Sequence, residues 1–286
     1  MKSVAIIGLG LMGGSVAKAL KNKNPNIFIE AFDHNESALD LALDVGIIDQ
    51  KLSNLEQINN LDQNSVDIII IAVPVIESLQ VYDAIKSLFN SNITITDTAS
   101  AKLLISNYLE DNYSSPANII LSHPMAGSHN TGVGYADEAM FNNKKVLITE
   151  LNNINEASEQ KVSDLWKGLG AEVHKIDAKK HDEIMSYASH LPHVISYAVL
   201  SSIMTNPNKN ITTFSAGGLK DFVRIGGSDP KMWTDIFLSN KDSIVQAIDA
   251  YKDSLDNLKE LFNCLLYTSD AADEGLGVDL GGRRII

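Results

Sequence analysis

The chain has little that could cross-link it, hold it in a membrane or attract it to nucleic acid. One cysteine among 286 residues excludes a disulfide framework and a thiolate metal cluster. The longest apolar run, residues 68–76, is interrupted by Pro74 and is far short of the roughly 20 residues that span a bilayer. A net charge of -13 disfavours both nucleic acid and anionic membranes as partners, because each attracts surplus lysine and arginine.

We also expect no secretion signal. The apolar run at residues 4–7 is too short for a signal peptide and leads into a glycine turn, so we expect a cytoplasmic protein. The composition, 44% hydrophobic and 21% charged, is typical of a globular protein, and the length predicts about two domains.

Arginine is scarce in most of the chain. Residues 1–263 contain 20 lysines but only one arginine, Arg224. Because lysine serves almost everywhere that a positive charge occurs, this position is a candidate for needing the planar, two-pronged guanidinium group. Chance in an asparagine-rich and lysine-rich sequence is the alternative.

Residues 264–286 differ in composition from the rest of the chain. They hold the cysteine and the other two arginines, and possible codons for residues 264–269 resemble a transposon end that is used as a sequencing adapter. We expect this tail to be an assembly artefact in place of a short natural C-terminus, with a natural disordered tail as the alternative. We expect no mutase domain before residue 1 and no regulatory domain after residue 263.

Short β-branched runs alternate with helical patterns through residues 1–177. Strands are predicted at residues 4–7, 27–32, 67–73, 93–97, 117–121, 145–149 and 172–176, and helices at 11–20, 36–45, 76–89, 102–109 and 157–169. Strands that alternate with helices predict an α/β fold, here a doubly wound parallel sheet of Rossmann type with helices on both faces.

The pattern changes after residue 177. Residues 181–204 and 237–262 have helical periodicity, and Pro192 predicts a break or kink in the first of these segments. No strand-like alternation follows, so we predict an all-helical domain at residues 178–263.

A glycine-rich turn follows the first predicted strand and opens the first helix. It fits the pattern G-x-G-x-x-G with Gly8, Leu9, Gly10, Leu11, Met12 and Gly13. In this position the glycines permit a tight turn, an approach of backbone amides to a pyrophosphate, and close packing of helix on strand. The helix N-terminus adds amide donors and a partial positive charge, so the turn predicts a dinucleotide site.

Asp33 ends the second predicted strand, 20 residues after Gly13. Its carboxylate could accept hydrogen bonds from ribose hydroxyls and would repel a 2′-phosphate, which favours NAD over NADP. The alternative is a local role for Asp33, in an Asx turn or as an N-cap. Pro74, which ends the third strand, is a further predicted cofactor contact.

Four polar clusters are candidates for the chemistry. Residues 97–100 and 122–128 follow predicted strands, and ligands bind at the carboxyl ends of strands in such sheets. Residues 189–193 and 217–224 belong to the helical half. One domain would therefore hold the cofactor, while the other would complete the cleft.

These motifs, in this order, resemble the prephenate dehydrogenase family over nearly all of residues 1–263. The resemblance rests on residues 8–15, 72–74, 96–102, 122–127, 189–193, 217–224 and 228–233. It implies oxidative decarboxylation of prephenate to 4-hydroxyphenylpyruvate with reduction of NAD, in tyrosine biosynthesis. It also implies a homodimer formed through the helical domains.

The resemblance assigns roles to individual residues. His123 matches the catalytic histidine, a base for the substrate hydroxyl, and Ser100 matches a serine that hydrogen-bonds near it. The predicted substrate contacts are Arg224, His193, Ser128 and Gly217, with Arg224 binding a carboxylate.

Each assignment has a structural alternative. His123 could be a loop-capping histidine and Ser100 only an N-cap. Lys220 and Asp221 could form a surface ion pair. We interpret His190 as structural and Trp233 as a core or dimer-interface residue. The remaining histidines, including His129, His174 and His181, lack the grouping of a metal site, so we predict no metal.

The sequence leaves other functions open. An arogenate or cyclohexadienyl dehydrogenase would share the scaffold and the chemistry. A dehydrogenase of small hydroxy acids is disfavoured, because such enzymes commonly use a catalytic lysine. A non-catalytic NAD-binding regulatory protein would bind nucleotide without turnover.

Overall fold

The computed structural model describes residues 1–61, 65–128, 130–207, 211, 213 and 216–265. Within these residues the first domain contains eight strands: β1 Ser3–Ile7, β2 Phe28–Phe32, β3 Gln50–Lys51, β4 Ile68–Ile71, β5 Thr94–Asp97, β6 Ile119–Pro124, β7 Lys145–Thr149 and β8 Glu172–Lys175. Its helices are α1 Leu11–Lys23, α2 Glu36–Asp44, α3 Val75–Ala84, α4 Leu103–Tyr113 and α5 Glu156–Gly168. The predicted tail lies outside the described residues except for residues 264 and 265, which end the last helix.

All strands lie in one sheet, in the order β3-β2-β1-β4-β5-β6-β7-β8. The order of strands switches sides at β1: β2 and β3 are added on one side of β1, and β4 and the later strands on the other. This is the doubly wound arrangement that the alternating pattern predicts.

The sheet is covered on both faces, as predicted. The four isoleucines of β4 divide by the period-two rule of a strand. Ile68 and Ile70 pack into the hydrophobic cluster on one face of the sheet, whereas Ile69 and Ile71 pack into the cluster on the other. A strand buried on both faces reads as a continuous apolar run, which explains why its sequence does not alternate.

One pairing differs from the all-parallel prediction. β7 runs antiparallel to β6, with Ser122 opposite Ile148 and His123 opposite Leu147. A parallel neighbour needs a crossover connection, usually an α-helix. Residues 125–144 contain only a short 3-10 helix in their described part, Val133–Tyr135, so the chain turns back without a crossover.

The second domain is helical in the described residues, as predicted. Its helices are α6 Ala178–Met185, α7 Leu191–Met204, α8 Gly217–Gly226, α9 Pro230–Ser239 and α10 Lys241–Leu265. α8 and most of α9 lie outside the predicted helices. The two glycines at the start of α8 have low helix propensity. No helix in the described part of the chain is long and apolar enough to cross a membrane.

The predicted break near Pro192 takes the form of a π-helical turn. Ser186–His190 forms this turn between α6 and α7, and Pro192 lies in the first turn of α7. The helical backbone is continuous through this turn, since the Leu191 amide donates to the Ser186 carbonyl oxygen. Proline lacks an amide hydrogen and crowds the preceding turn, which explains the local departure from the α-helical pattern just before it.

The two domains meet through helices. α6 packs against α4, and α9 packs against α3. Both α3 and α4 start at the carboxyl ends of strands, so the helical domain approaches the edge of the sheet where ligands bind in this type of fold.

Candidate active site

The polar clusters of the first domain lie at one edge of the sheet. β1, β4, β5 and β6 are parallel neighbours, so their carboxyl ends lie side by side. The glycine-rich turn follows β1, Pro74 follows β4, Ser100 follows β5, and His123 lies near the end of β6. The fold therefore gathers these separate motifs along one edge.

The glycine-rich turn needs its outer glycines for geometry. Gly8 has φ +95°, and a Cβ there would lie 2.6 Å from the Ala72 carbonyl oxygen. A Cβ on Gly13 would overlap the Gly8 carbonyl oxygen. Around Gly10, by contrast, a Cβ would meet no atom within 4 Å. The turn is thus tight where helix and strand meet and open where a ligand could approach the backbone.

The start of α1 fits a phosphate group. Gly10 is the N-cap, no side chain caps the helix, and its first turn has no acidic residue. Leu11 and Met12 begin the helix and are half-buried. The first amides of a helix have no intrahelical acceptor, so an anion can bind them.

Asp33 ends β2 beside this turn. One carboxylate oxygen accepts a hydrogen bond from the Leu9 amide at 2.5 Å, and the other accepts one from the Asn35 amide at 2.7 Å. The second bond is the Asx turn considered from the sequence, whereas the N-cap of α2 is Asn35. Each carboxylate oxygen has a second lone pair, so Asp33 keeps capacity to accept hydrogen bonds from a ribose.

Pro74 is exposed and is the N-cap of α3. The start of α3 is also bound from the helical domain, because the Asp235 carboxylate accepts a hydrogen bond from the Ile76 amide at 3.2 Å. Burial raises the pKa of Asp235. An acidic side chain of α9 therefore helps to join the two domains next to the predicted cofactor contact.

His123 lies deep in the molecule, although part of its surface is accessible. Its Nδ1 lies 2.8 Å from Nε2 of His181. Burial, followed by electrostatic interactions with His181, Lys102 and His190, lowers the pKa of His123 well below the usual 6.5. The imidazole is therefore neutral at neutral pH, as a general base must be.

His181 and its neighbour Asp182 extend this contact, and the sequence pattern predicts neither as a site residue. Nδ1 of His181 lies 2.6 Å from a carboxylate oxygen of Asp182, and both side chains are fully buried. In the sequence, the only indication is a histidine followed by an aspartate at residues 181 and 182. That pair does not predict a contact with His123, because nothing in the spacing connects residues 181 and 123.

The Asp182 carboxylate also binds the start of α4. It accepts hydrogen bonds from the amides of Lys102 at 2.9 Å and Leu103 at 3.0 Å. The N-cap position of α4 is Lys102, which caps nothing with its side chain. Ser100 is therefore not the N-cap, and that alternative is wrong: a carboxylate from α6 binds these amides instead.

Ser100 is half-buried at the carboxyl edge of the sheet. Among the described residues its hydroxyl has no hydrogen-bond partner, so no hydrogen bond joins it to His123. Its place is compatible with the predicted role, but the hydrogen bond to the histidine is absent from this arrangement.

A second buried ion pair lies behind the site. The ammonium group of Lys102 lies 2.5 Å from the Asp97 carboxylate, and both side chains are inaccessible to solvent. Asp97 also accepts hydrogen bonds from the amides of Ser122 and Ala99. Burial lowers the pKa of Lys102, against the opposing effect of Asp97. This pair ties the loop after β5 to the end of β6, which carries His123.

His193 is held on α7 by two contacts. Its Nδ1 donates a hydrogen bond to the Ser189 carbonyl oxygen at 2.9 Å, and its ring stacks on Trp233. Burial lowers the pKa of His193, and the positive charge of Arg224 lowers it further. Trp233 is buried, which agrees with the interpretation of it as a core residue.

Arg224 lies on α8 with its side chain 71% exposed. Its Nε lies 3.6 Å from a carboxylate oxygen of Asp221, so Asp221 pairs with this arginine rather than with Lys220. No hydrogen bond or ion pair joins Arg224 to His123 in the described residues.

His190 has a structural environment, as interpreted from the sequence. It is buried, and Nδ2 of Asn240 lies 3.2 Å from its Nδ1. The same amide group donates to the Asp182 carbonyl oxygen at 2.7 Å. Burial lowers the pKa of His190 to about 4.

Two of the predicted substrate contacts lie in open positions. Ser128 is exposed, and its hydroxyl accepts a hydrogen bond from the Asn130 amide at 3.1 Å. Gly217 starts α8, and a Cβ there would meet no atom within 4 Å. Both stay predictions. His129 lies outside the described residues, which contain no group of three or more potential metal ligands placed to hold an ion.

Family models match the two domains in order. Residues 16–175 match the nucleotide-binding domain of prephenate dehydrogenase, and residues 177–274 match its dimerization domain. The chain belongs to the prephenate dehydrogenase family. The first match begins within α1, so the glycine-rich turn is interpreted from its own sequence and geometry.

Relatives within this family differ in their described substrates. Prephenate dehydrogenase of Lactococcus lactis subsp. cremoris is 33% identical over 262 residues, which are 90% of this chain and 70% of that protein. Cyclohexadienyl dehydrogenase of Zymomonas mobilis is 29% identical over 262 residues, which are 90% of this chain and 87% of that protein. The chain is thus an enzyme of the prephenate and arogenate dehydrogenase family.

A solved structure supports the same fold. Prephenate dehydrogenase from Aquifex aeolicus, in complex with hydroxyphenyl propionate and NAD+, matches with a TM-score of 0.84 at 31% identity. The match covers 94% of this chain and 93% of that chain. Both domains and their order are therefore those of a known member of the family.

Proposed function

We propose that this protein catalyses the NAD-dependent oxidative decarboxylation of prephenate to 4-hydroxyphenylpyruvate. The observation that carries the proposal is His123, a buried and neutral imidazole at the sheet edge that also bears the glycine-rich turn. A base at that edge can remove the proton of a substrate hydroxyl group. General base catalysis of this kind contributes about 10²- to 10⁴-fold in rate.

The reaction balances with one base. His123 takes the proton of the ring C4 hydroxyl. Bound NAD would supply the hydride acceptor for the hydrogen on C4. The ring carboxylate leaves as carbon dioxide, and the electron pair of the broken carbon–carbon bond stays in the ring, which becomes aromatic. The proton held by His123 then returns to the phenol oxygen, so no net proton is released.

The cofactor preference follows from Asp33. Its carboxylate already accepts amide hydrogen bonds from Leu9 and Asn35, which fixes it at the end of β2. A 2′-phosphate placed near this negative charge would be repelled, whereas free ribose hydroxyls can donate to it. We therefore assign NAD rather than NADP to the site.

Arg224 is the proposed clamp for a substrate carboxylate. Its exposed side chain has only the distant Asp221 carboxylate as an ion-pair partner in the described structure. A guanidinium group can bind a carboxylate through two parallel hydrogen bonds. Its electrostatic influence on His193 supports a place for both residues beside the substrate.

We also propose a homodimer formed through the helical domains. α7 and α10 border an apolar groove of about 340 Å³, lined by Leu191, Val194, Ala198, Ile248, Tyr251 and Leu255. The match to a dimerization domain covers these helices. Sedimentation analysis should give twice the mass of one chain; a monomer at micromolar concentration would contradict this assembly.

The deciding experiment compares turnover of prephenate and arogenate with NAD and NADP, followed through nicotinamide reduction. Prephenate with NAD should give the largest kcat/KM. A preference for arogenate would assign the same chemistry to the alternative substrate. Nucleotide binding without turnover in all four combinations would instead support a regulatory protein.

His123→Asn provides the second part of this test. It should lower kcat by about 10²- to 10⁴-fold while nucleotide and substrate still bind, because only proton transfer is lost. His174→Gln, on the edge strand β8, is the matched histidine control and should keep the parent kcat. An unchanged kcat for His123→Asn would remove this residue as the base.

A further inference from the structure

We propose that His181 and Asp182 are positioning residues that fix the protonation pattern of His123, so that its Nε2 is the free base. The proposal rests on the proposed function for its kinetic consequence. Its structural part, the placement of protons in a buried row of groups, concerns the free protein. The row runs from the Asp182 carboxylate through the imidazole ring of His181 to the imidazole ring of His123.

The carboxylate sets the direction of the row. An ionised carboxylate can only accept hydrogen bonds, so the proton in the 2.6 Å contact belongs to Nδ1 of His181. When His181 is neutral its imidazole carries one proton, which leaves Nε2 as an acceptor. The 2.8 Å contact between the rings then requires the proton to lie on Nδ1 of His123.

The consequence reaches the reacting nitrogen. With Nδ1 protonated, the lone pair of neutral His123 lies on Nε2, the nitrogen that has no partner in the row. A free histidine can exchange between its two tautomers, but here the tautomer of His123 with its proton on Nε2 would place two nitrogen lone pairs against each other, with no hydrogen between the rings. The row therefore selects the tautomer that can accept a substrate proton.

The position of Asp182 is itself fixed by the other domain. Its two oxygens accept hydrogen bonds from the amides of Lys102 and Leu103 at the start of α4, where a helix has amide donors without intrahelical acceptors. Asp182 lies on α6, so the proton pattern of His123 depends on correct docking of the helical domain on α4.

The charged and titratable groups around the row agree with this arrangement. Lys102 is the nearby cation, and its charge is compensated by Asp97. His190 lowers the pKa of His123, the pKa of His190 is itself affected by His181, and the His190 ring is held by Asn240. Lys102 and His190 both disfavour a second proton on His123, so the ground state of the base stays neutral.

The direct test is ¹⁵N spectroscopy of the full chain labelled at histidine, without substrate, at neutral pH. His123 and His181 should each carry a proton on Nδ1 and none on Nε2, with resonances assigned from His123→Asn and His181→Gln. A proton on Nε2 of His123, or protons on both nitrogens of His181, would overturn the proposal. This result does not depend on turnover, so it is distinct from failure of the proposed function.

A matched pair of variants tests the kinetic part. In His181→Gln the amide group can donate to Asp182 while its oxygen accepts from His123, so kcat should stay within about 10-fold of the parent. His181→Met has similar length but no such acceptor, and should lose about 10²- to 10⁴-fold in kcat with little change in KM. Equal kcat values for the two variants would contradict the proposal.

Asp182→Asn should move the proton of His123 to Nε2 and lower kcat by a similar factor. Asp177→Asn is its control, because Asp177 lies at the start of the same helix and its carboxylate accepts a hydrogen bond from the Lys180 amide, away from the row. The control should leave the histidine resonances and kcat unchanged. A loss of kcat in Asp177→Asn equal to that in Asp182→Asn would show that the effect is only structural.

Discussion

The ring of His193 lies on the ring of Trp233, with their centroids 3.5 Å apart and their planes inclined by 21°. The stacking and the hydrogen bond from Nδ1 to Ser189 together fix the orientation of the imidazole. Because Nδ1 holds the proton, the neutral ring presents Nε2 as an acceptor. The helical domain therefore brings a prepared acceptor, within electrostatic range of Arg224, to the proposed substrate site.

Gly10→Ala should weaken NAD binding without affecting the fold. A Cβ at this position meets no protein atom within 4 Å, so Tm should be unchanged, but it would occupy space needed by a pyrophosphate. Loss of a charge-assisted hydrogen bond predicts an increase in Kd of about tenfold or more. Gly168→Ala, equally unobstructed but at the end of α5, is the control for calorimetric titration. Parent affinity in Gly10→Ala would exclude close approach of the cofactor at this glycine.

Arg224→Lys should raise KM for the substrate by about 10- to 100-fold and change kcat much less. Lysine keeps the charge but cannot form the two-pronged contact, and hydrogen bonds to charged groups contribute about 1.5 to 3 kcal/mol. Steady-state kinetics with varied substrate at saturating nucleotide measure this effect. KM for the nucleotide is the internal control and should not change. If KM for the substrate equalled that of the parent, the two parallel hydrogen bonds of the guanidinium group would be unnecessary for substrate binding.

In the pH profile of kcat/KM, the midpoint of the loss of activity on the acid side should lie below pH 6.5. Burial lowers the pKa of His123, so the base stays unprotonated at pH 6.5 and becomes protonated, with loss of activity, only as the pH falls further. The pKa of His193 is also lowered, so this residue should not place the midpoint at higher pH. A pH series with circular dichroism at each point separates titration from unfolding. A midpoint at or above 6.5 would contradict the environment described for His123.

His190→Gln should make the fold less sensitive to acid. The pKa of His190 is about 4 in the folded protein and about 6.5 in an unfolded chain, so between these values the unfolded state binds more protons. Stability is therefore lost as the pH falls through this window, by about 3 kcal/mol at pH 4 from this residue. Denaturant unfolding at pH 7 and pH 4.5 should show a smaller difference for His190→Gln than for the parent. The difference should be unaltered in His174→Gln, and equal losses in all three proteins would refute the contribution of His190.

Much of the first domain could be predicted from sequence because its signals are local. The glycines at positions 8 and 13 are required by contacts with the adjacent strand and turn, and the isoleucine run of β4 is what burial on two faces produces. The position of each motif directly after a predicted strand indicated that the motifs lie together, because the carboxyl ends of parallel strands lie at the same edge of a sheet.

Signals that depend on distant contacts were not predicted. β7 reverses direction because the described part of its connection lacks a crossover helix, and α8 forms despite a start of two glycines. Ser100 was a reasonable N-cap candidate, yet Asp182 of another domain binds the amides of α4. No pattern near residue 100 could have indicated this.

The sequence by itself determined a nucleotide-binding turn, a sheet wound in two directions and a helical second domain, since periodicity and turn chemistry act over a few residues. Only the tertiary structure decided which groups surround His123. Its contact with His181 spans 58 positions in the chain and exists only because α6 docks on α4. Hydrogen bonds of this kind depend on positions fixed to within tenths of an ångström, and packing between domains rather than local preference sets those positions.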